Sequence, residues 1–313
     1  MNTWIVTGGA GFIGSHLVSD LGKMGDRIIV LDNLSSGSAS NLEGCNNVEL
    51  VNGDVQDARL VLDLSRNCDG IFHLAALVSI QECIMNWLDG HKINFIGTLN
   101  VYEAASTHHV PVVYASSAAV YGNPGGAKCH EAIKEVPISP YGADKLACEH
   151  QAKVYFYTKS LSSVGLRFFN IYGQRQKPSS PYAGVISRFA DNLLRRRPHT
   201  IFGDGKQTRD FVFVDDAVRA LKKAMKIQVP DKPVGEVCNV CTGAQTSLLE
   251  IIGIFSQLHQ EFSFQPEFLP VRSGDIRYSV GDDNYMRSFL ELDNMVAIEA
   301  GLKQYLSELD NTF

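Results

Sequence analysis

Short apolar runs alternate with helical stretches through the first half of the chain. Runs rich in Val, Ile, Leu and Phe predict strands at Trp4–Thr7, Ile28–Leu31, Val48–Val51, Ile71–Leu74, Val112–Ser116 and Val164–Phe169. Between them, Phe12–Met24, Leu60–Ser65, Leu88–Ser106 and Gly142–Lys159 repeat their apolar positions at helical spacing. This alternation predicts an α/β fold, a doubly wound parallel sheet with helices on both faces. After Asn170 the pattern breaks into a Pro, Gly and Ser stretch (Pro178–Gly184), a short basic helix and a strand-like Thr200–Phe202. It returns at Phe211–Val214, at a helix over Asp215–Lys226 and at a strand over Glu236–Val240, ahead of a final variable region. The expected organisation is two interleaved lobes: 1–170 with about 211–241, and about 171–210 with 242–313.

The first strand runs directly into Thr7-Gly8-Gly9-Ala10-Gly11-Phe12-Ile13-Gly14, whose glycines are spaced G-x-x-G-x-x-G at the start of a helix. Missing Cβ atoms let backbone approach a pyrophosphate, and the helix N-terminus presents N–H donors and a positive dipole end. Asp32 closes the second strand, where an acidic side chain accepts from ribose hydroxyls and repels a 2′-phosphate. The unit therefore predicts a Rossmann-type lobe binding NAD rather than NADP. Asn33 and Ser36 are placed for ribose or phosphate contacts, and Asp54 and Val55, after the third strand, to meet adenine.

A second constellation ends the fifth strand. Ser116 and Ser117 stand there, and Tyr141 and Lys145 follow one helical turn apart at the start of the next helix. A phenol is a poor base near neutrality, and an adjacent ammonium favours its phenolate, so Lys145 is expected to depress Tyr141. Ser117 would relay a substrate hydroxyl proton to Tyr141 while hydride leaves for the nicotinamide.

TGGAGFIG, DNLSSG, HLAALVSI, YASSAAVYG, PISPYGADKLACE, LRFFNIYG and GDGKQTRDFVFVDD occur in this order. On these segments the chain resembles the extended short-chain dehydrogenase/reductases, within them the UDP-glucose and UDP-N-acetylglucosamine 4-epimerase group. The likeness is dense over about the first 225 residues and returns at Arg272-Ser273-Gly274-Asp275. It implies NAD-dependent 4-epimerisation of a UDP-hexose, UDP-N-acetylhexosamines included, by way of a 4-keto sugar, in a smaller C-terminal lobe that binds the sugar nucleotide. The resemblance carries catalytic roles to Ser117, Tyr141 and Lys145. Cofactor contacts fall on Gly8, Gly11, Phe12, Ile13, Asp32, Asn33, Ser36, Gly37, Asp54, Val55, Leu74, Ala75, Ala76 and Asn94, with Tyr141 and Lys145 again. Sugar-nucleotide contacts fall on Ser79, Ser117, Asn170, Val185, Phe202, Arg209, Arg272, Asp275 and Ser279. Two arginines suit a diphosphate, because each guanidinium offers a fork of donors.

Three departures concern the outer sugar pocket: Val78 stands where some members use a lysine, Gly281-Asp282 where Ala-Asp is usual, and a C-terminal Leu-Gly-Trp is missing. Dehydratases and decarboxylases of the family resemble one another in carrying acid after the catalytic hydroxyl, where this chain has Ala118-Ala119. A UDP-glucuronate 4-epimerase, a dehydratase or decarboxylase, and a silent NAD-binding scaffold stay open as alternatives. Ser279 falls where members confined to non-acetylated sugars place a tyrosine, and Ser79 is placed to hydrogen-bond an acetamido group. The family pairs two helices per subunit, so Leu88–Ser106 and Gly142–Lys159 are expected to form a homodimer interface.

Composition narrows the remainder. Thirty-four acidic against 28 basic side chains, a formal charge of −6, leave no electrostatic footprint for nucleic acid. Seven scattered cysteines fit a reducing compartment, and Cys238-x-x-Cys241, without a second pair or nearby His, reads as small buried apolar side chains rather than a metal site. No apolar run approaches a membrane span, and the N-terminus lacks the features of a signal peptide, so a cytoplasmic location is expected.

Overall fold

All six predicted strands form in the computed structural model, which describes residues 1–176, 184–229, 232–258, 265–272 and 274–310. They are β1 (Thr3–Thr7), β2 (Arg27–Asp32), β3 (Val48–Asn52), β4 (Gly70–His73), β5 (Val112–Ser117) and β6 (Ser163–Phe168). The chain continues through β7 (Asn170–Tyr172), β8 (Thr200–Phe202), β9 (Thr208–Arg209) and β10 (Phe211–Phe213) before β11 (Gly235–Val240). β11 returns to the main sheet, giving seven parallel strands in the order β11-β6-β5-β4-β1-β2-β3. Outward from β1 the order reverses, with β2 and β3 on one side and β4 to β6 on the other, the crossover that places a ligand at the strands' C-terminal ends.

The strand pleat divides the apolar residues between two faces. Ile28 and Val30 pack with Leu17, Val18 and Leu21 of α1 (Phe12–Lys23), while Ile29 and Leu31 face the opposite core. That opposite core also takes Val61 of α2 (Ala58–Ser65). The chain then forms α3 (Ile80–Met85), α4 (Trp87–His91), α5 (Gly97–His108) and α6 (Pro140–Lys159), and Val101, Tyr102 and Ala152 of the last two complete this layer. Further on come α7 (Val185–Leu194) and α8 (Val214–Lys226). α8 packs beside α1 and carries Asp215 and Asp216 in its first turn and Lys223 and Lys226 in its last, both favourable to the helix dipole.

The helix expected over Leu88–Ser106 is interrupted. A π-helical turn, Lys92–Ile96, separates α4 from α5 and buries Asn94. The Asn94 amide bonds both backbone groups of Leu77, at 2.8 and 3.1 Å, so the widened turn holds the loop after β4.

Much of the variable C-terminal region is ordered into small elements: β12 (Thr246–Ser247), α9 (Leu248–Leu258), β13 (Glu267–Leu269), β14 (Tyr278–Ser279), α10 (Asn284–Phe289) and α11 (Ile298–Asp310). Tyr172, Phe189, Ile201, Phe213, Ile251, Phe255 and Leu302 form a third core among them. Asp210 ties three distant segments together, accepting from Thr242 N and Oγ1, Gly243 N and Gly281 N. Burial pushes its carboxyl up to about 6 against the pull of those donors. Most of the Pro178–Gly184 stretch, and Ser273, lie outside the described residues. All seven thiols are free, Cys238 and Cys241 being wholly buried. Among the described residues no helix is long and apolar enough to cross a membrane.

The β1–α1 turn leaves no room for side chains. A Cβ on residue 14 would stand 2.3 Å from Gly8 O, and Gly8 itself holds φ +68°. Gly14→Ala should therefore push α1 off the sheet, costing about 1–3 kcal/mol. The check is a lower Tm together with lost retention of dinucleotide through purification; an unchanged Tm would contradict the packing described.

Candidate active site

At the C-terminal end of β1, a Cβ on Gly8 would lie 2.7 Å from Ala75 N, so this turn and the loop after β4 close on one another. α1 begins after Gly11 with no side-chain cap, and its first N–H groups and dipole end suit an incoming phosphate. Phe12 and Ile13 open that helix. At the tip of β2, Asp32 accepts from Ala10 N at 2.9 Å and from Leu34 N at 2.8 Å. A carboxylate has about four lone-pair directions, so acceptor capacity remains for ribose hydroxyls. Ser38 N and the Asn41 amide both bond Ala10 O, drawing the loop that carries Ser36 and Gly37 over the glycine turn. Asn33 donates to Asp54 at 2.7 Å. Burial opposes it, yet donors from Gln56 and Asn33 hold the Asp54 carboxyl below its ordinary value. Val55 is buried under the start of α5, in contact range of Gly97. These residues fit a dinucleotide: a phosphate-sized glycine cradle, a helix end and an acid for the ribose stand side by side.

The sequence reading missed His73, which is wholly buried on β4. Burial, then Lys145, holds its imidazole down to about 3, so the ring is neutral. Thr7 Oγ1 accepts from Leu74 N and Ala75 N, and its own proton goes to His73 Nδ1 at 2.7 Å. His73 Nε2–H then donates to Thr98, whose hydroxyl donates to Asn94 O. This chain of bonds fixes the Leu74–Ala76 loop from below, and Asn94 acts through the same loop.

The catalytic candidates meet where β5 ends against α6. Ser139 caps α6 and Pro140 starts it, which places Tyr141 in the first turn. Ala119 O lies where a Cβ on Gly142 would come, so the helix approaches the Ala118–Tyr121 turn closely. Ser117 accepts from Ala119 N at 3.1 Å and lies near enough to the Tyr141 phenol to oppose its rise on burial. Lys145 donates to Ala115 O at 2.8 Å, its ammonium 5.7 Å from the Tyr141 ring centroid.

The expected depression of Tyr141 by Lys145 is corrected by this geometry. Burial dominates and pushes the phenol up to about 12, with the nearby Ser117 hydroxyl the main opposing influence. Burial also lowers Lys145, because a desolvated ammonium is disfavoured.

Three of the sugar-nucleotide candidates, Arg209, Asp275 and Ser279, meet at β9. Arg209 pairs with Asp275 at 2.6 Å, and Arg272 lays its guanidinium 3.5 Å from the Phe202 ring centroid. β14 runs parallel to β9, bringing Ser279 opposite Arg209. Val185 is the first residue of α7, and Asn170 starts β7 with its N–H on Asp210 O. Ser79 caps α3, accepting from Glu82 N at 3.0 Å. A cleft of about 860 Å³, lined by Thr242, Glu250, Arg287 and Asn294 among others, contains none of the candidates.

Residues 4–241 match the NAD dependent epimerase/dehydratase family. A UDP-glucose 4-epimerase of Mycolicibacterium smegmatis is 38% identical over 312 residues, covering 95% of each chain. The solved UDP-N-acetylglucosamine 4-epimerase from Methanobrevibacter ruminantium M1, in complex with UDP-N-acetylmuramic acid, superposes with a TM-score of 0.93 at 31% identity, covering 100% of this chain and 99% of that one. The UDP-glucose 4-epimerase of Thermotoga maritima with UDP-glucose gives 0.92 at 33% identity, with 99% of each chain covered. The glycine turn, Asp32 and the Ser117, Tyr141 and Lys145 trio occur on a fold shared along the whole chain, and this protein belongs to the NAD dependent epimerase/dehydratase family of extended short-chain dehydrogenase/reductases.

Proposed function

We propose that the chain is a UDP-sugar 4-epimerase that inverts C4 of UDP-hexoses and UDP-N-acetylhexosamines, interconverting UDP-Glc with UDP-Gal and UDP-GlcNAc with UDP-GalNAc. One observation carries the reading: Ser117 ends β5 where the first turn of α6 brings buried Tyr141 against it, with Lys145 one turn on and bonded to Ala115 O, and the residues that follow Ser117 are Ala118 and Ala119. Bound NAD supplies the hydride acceptor and donor. Ser117 hydrogen-bonds the C4 hydroxyl and relays its proton to Tyr141, while Lys145, anchored on Ala115 O, holds the nicotinamide ribose. Any positive charge brought beside Tyr141 would favour its phenolate and oppose the burial that raises the phenol. No acid follows Ser117 to expel the C6 hydroxyl, so the 4-keto sugar turns in the pocket and regains hydride on the opposite face. Arg209 and Arg272 are the donors for the diphosphate.

Ser279 supports acceptance of acetylated sugars. It is half-buried beside Arg209, whereas its neighbour Tyr278 is exposed and within reach of Gly126, as alternation along a strand requires. Ser79 accepts from Glu82 N and retains a hydroxyl proton for an acetamido carbonyl. We also infer a homodimer. Leu88 and Ile96 in the stretch Leu88–Ser106, and Val154 and Tyr157 in the stretch Gly142–Lys159, are exposed apolar side chains. Sedimentation should give about twice the 34.4 kDa chain mass, and a monomer at micromolar concentration would count against the pairing.

Incubation with UDP-Glc, UDP-GlcNAc and UDP-glucuronate, without added NAD, followed by separation of epimers, tests the activity. Turnover of the first two is expected; a decarboxylated product, or turnover of UDP-glucuronate alone, would replace the reading. Tyr141→Phe should keep fold and NAD yet lose kcat by about 10²–10⁴-fold. Activity within tenfold of wild type would remove Tyr141 from its role. Ser279→Tyr should abolish turnover of the acetylated pair alone, since overpacking costs about 1–3 kcal/mol. Equal handling of both pairs by that variant would show that Ser279 is not the gate.

A further inference from the structure

Glu149 lies four residues after Lys145 and eight after Tyr141, on the face of α6 that meets β5. Its side chain is 5% exposed, yet the carboxylate is fully engaged. Arg167 of β6, 4% exposed, donates to it from Nε at 2.9 Å and from Nη2 at 2.6 Å, a two-pronged pairing. Ser116 Oγ donates to the same carboxylate. Arg167 extends the network to the Tyr121 hydroxyl at 2.9 Å and to Glu135 at 2.6 Å, and Tyr121 donates onward to Asn239 of β11. Three successive residues at the end of β5 are thereby met by three residues of α6 spaced one turn apart. Ala115 O accepts from Lys145, Ser116 donates to Glu149, and Ser117 lies beside Tyr141.

We propose that Glu149, held by Arg167, is a positioning residue that sets the register of α6 on the tip of β5 and so keeps Tyr141 against Ser117 in the proposed epimerisation. A buried ion pair is a costly way to hold a helix, since apolar side chains of similar volume stabilise as well or better. What the pair adds is direction. A carboxylate locked by a guanidinium accepts the Ser116 hydroxyl at one point along the strand, whereas an apolar contact tolerates a slide. A displacement of about 1 Å at a reacting centre is enough to cost about 100-fold.

The inference rests on the proposed activity, so wild-type turnover of the UDP-sugars is measured first; its absence overturns that activity and leaves the pair untouched. Given an active wild type, Ser116→Ala removes only the link between Glu149 and the strand. It should keep Tm and NAD content and lower kcat about tenfold, with KM within about threefold. The double variant Glu149→Leu with Arg167→Met exchanges the ion pair for apolar packing. It should fold with a Tm near wild type while kcat falls about 100-fold. A role confined to stability predicts wild-type kcat in both. Either variant, folded and NAD-loaded, with kcat within twofold of wild type overturns the proposal, and Ser116→Ala decides alone where the double variant does not fold.

Discussion

The contact on which the rest depends is the approach of backbone to backbone at the first turn, where Gly14 meets Gly8 O and Gly8 meets Ala75 N with no side chain between. That closeness puts the end of α1 and the loop after β4 at one spot, at the place where the strand order reverses. Asp32 and the loop beyond it are then drawn in by hydrogen bonds to Ala10. Below, neutral His73 spans Thr7 and Thr98 and fixes the opposite wall. The candidate dinucleotide site is thus bounded largely by backbone, with Asp32 at its rim and His73, Thr7 and Thr98 bracing it from below.

Much of this was legible in the sequence, and the reasons are local. β1 to β6 announce themselves because strands buried on both faces read as continuous apolar runs, and the glycine spacing with Asp32 is a short-range pattern. Ser117, Tyr141 and Lys145 were legible because one helical turn separates two of them. The pieces that escaped depend on distant partners. The π turn at Lys92–Ile96 exists for Asn94 to reach Leu77, and β9, β12 and β14 are two-residue strands defined only by pairing with each other. Glu149 followed the Tyr141–Lys145 spacing by one further turn, but Arg167, which gives it meaning, arrives from another strand.

The two buried charge systems near the site behave differently. Around Tyr141 the protein supplies burial above all, which pushes the phenol up to about 12, so proton affinity is high. Around Glu149 it supplies a matched guanidinium, so charge is neutralised on the spot. The first arrangement answers to whatever charge enters the pocket, and the second is indifferent to it. Placing both on one helix joins a responsive group to an unresponsive anchor.

The late return of β11 to the edge of the sheet has a consequence for biogenesis. β6 is complete by Phe168, but its outer hydrogen-bonding edge is not covered until residues 235–240 have been made and have crossed back to pair with it. At ordinary synthesis rates of about 5–20 residues per second, that edge emerges several seconds before its partner. An uncovered parallel edge is a template for another chain. Arg167 on this strand draws its partners Tyr121, Glu135 and Glu149 from residues made before it, so what the waiting edge lacks is the backbone of β11.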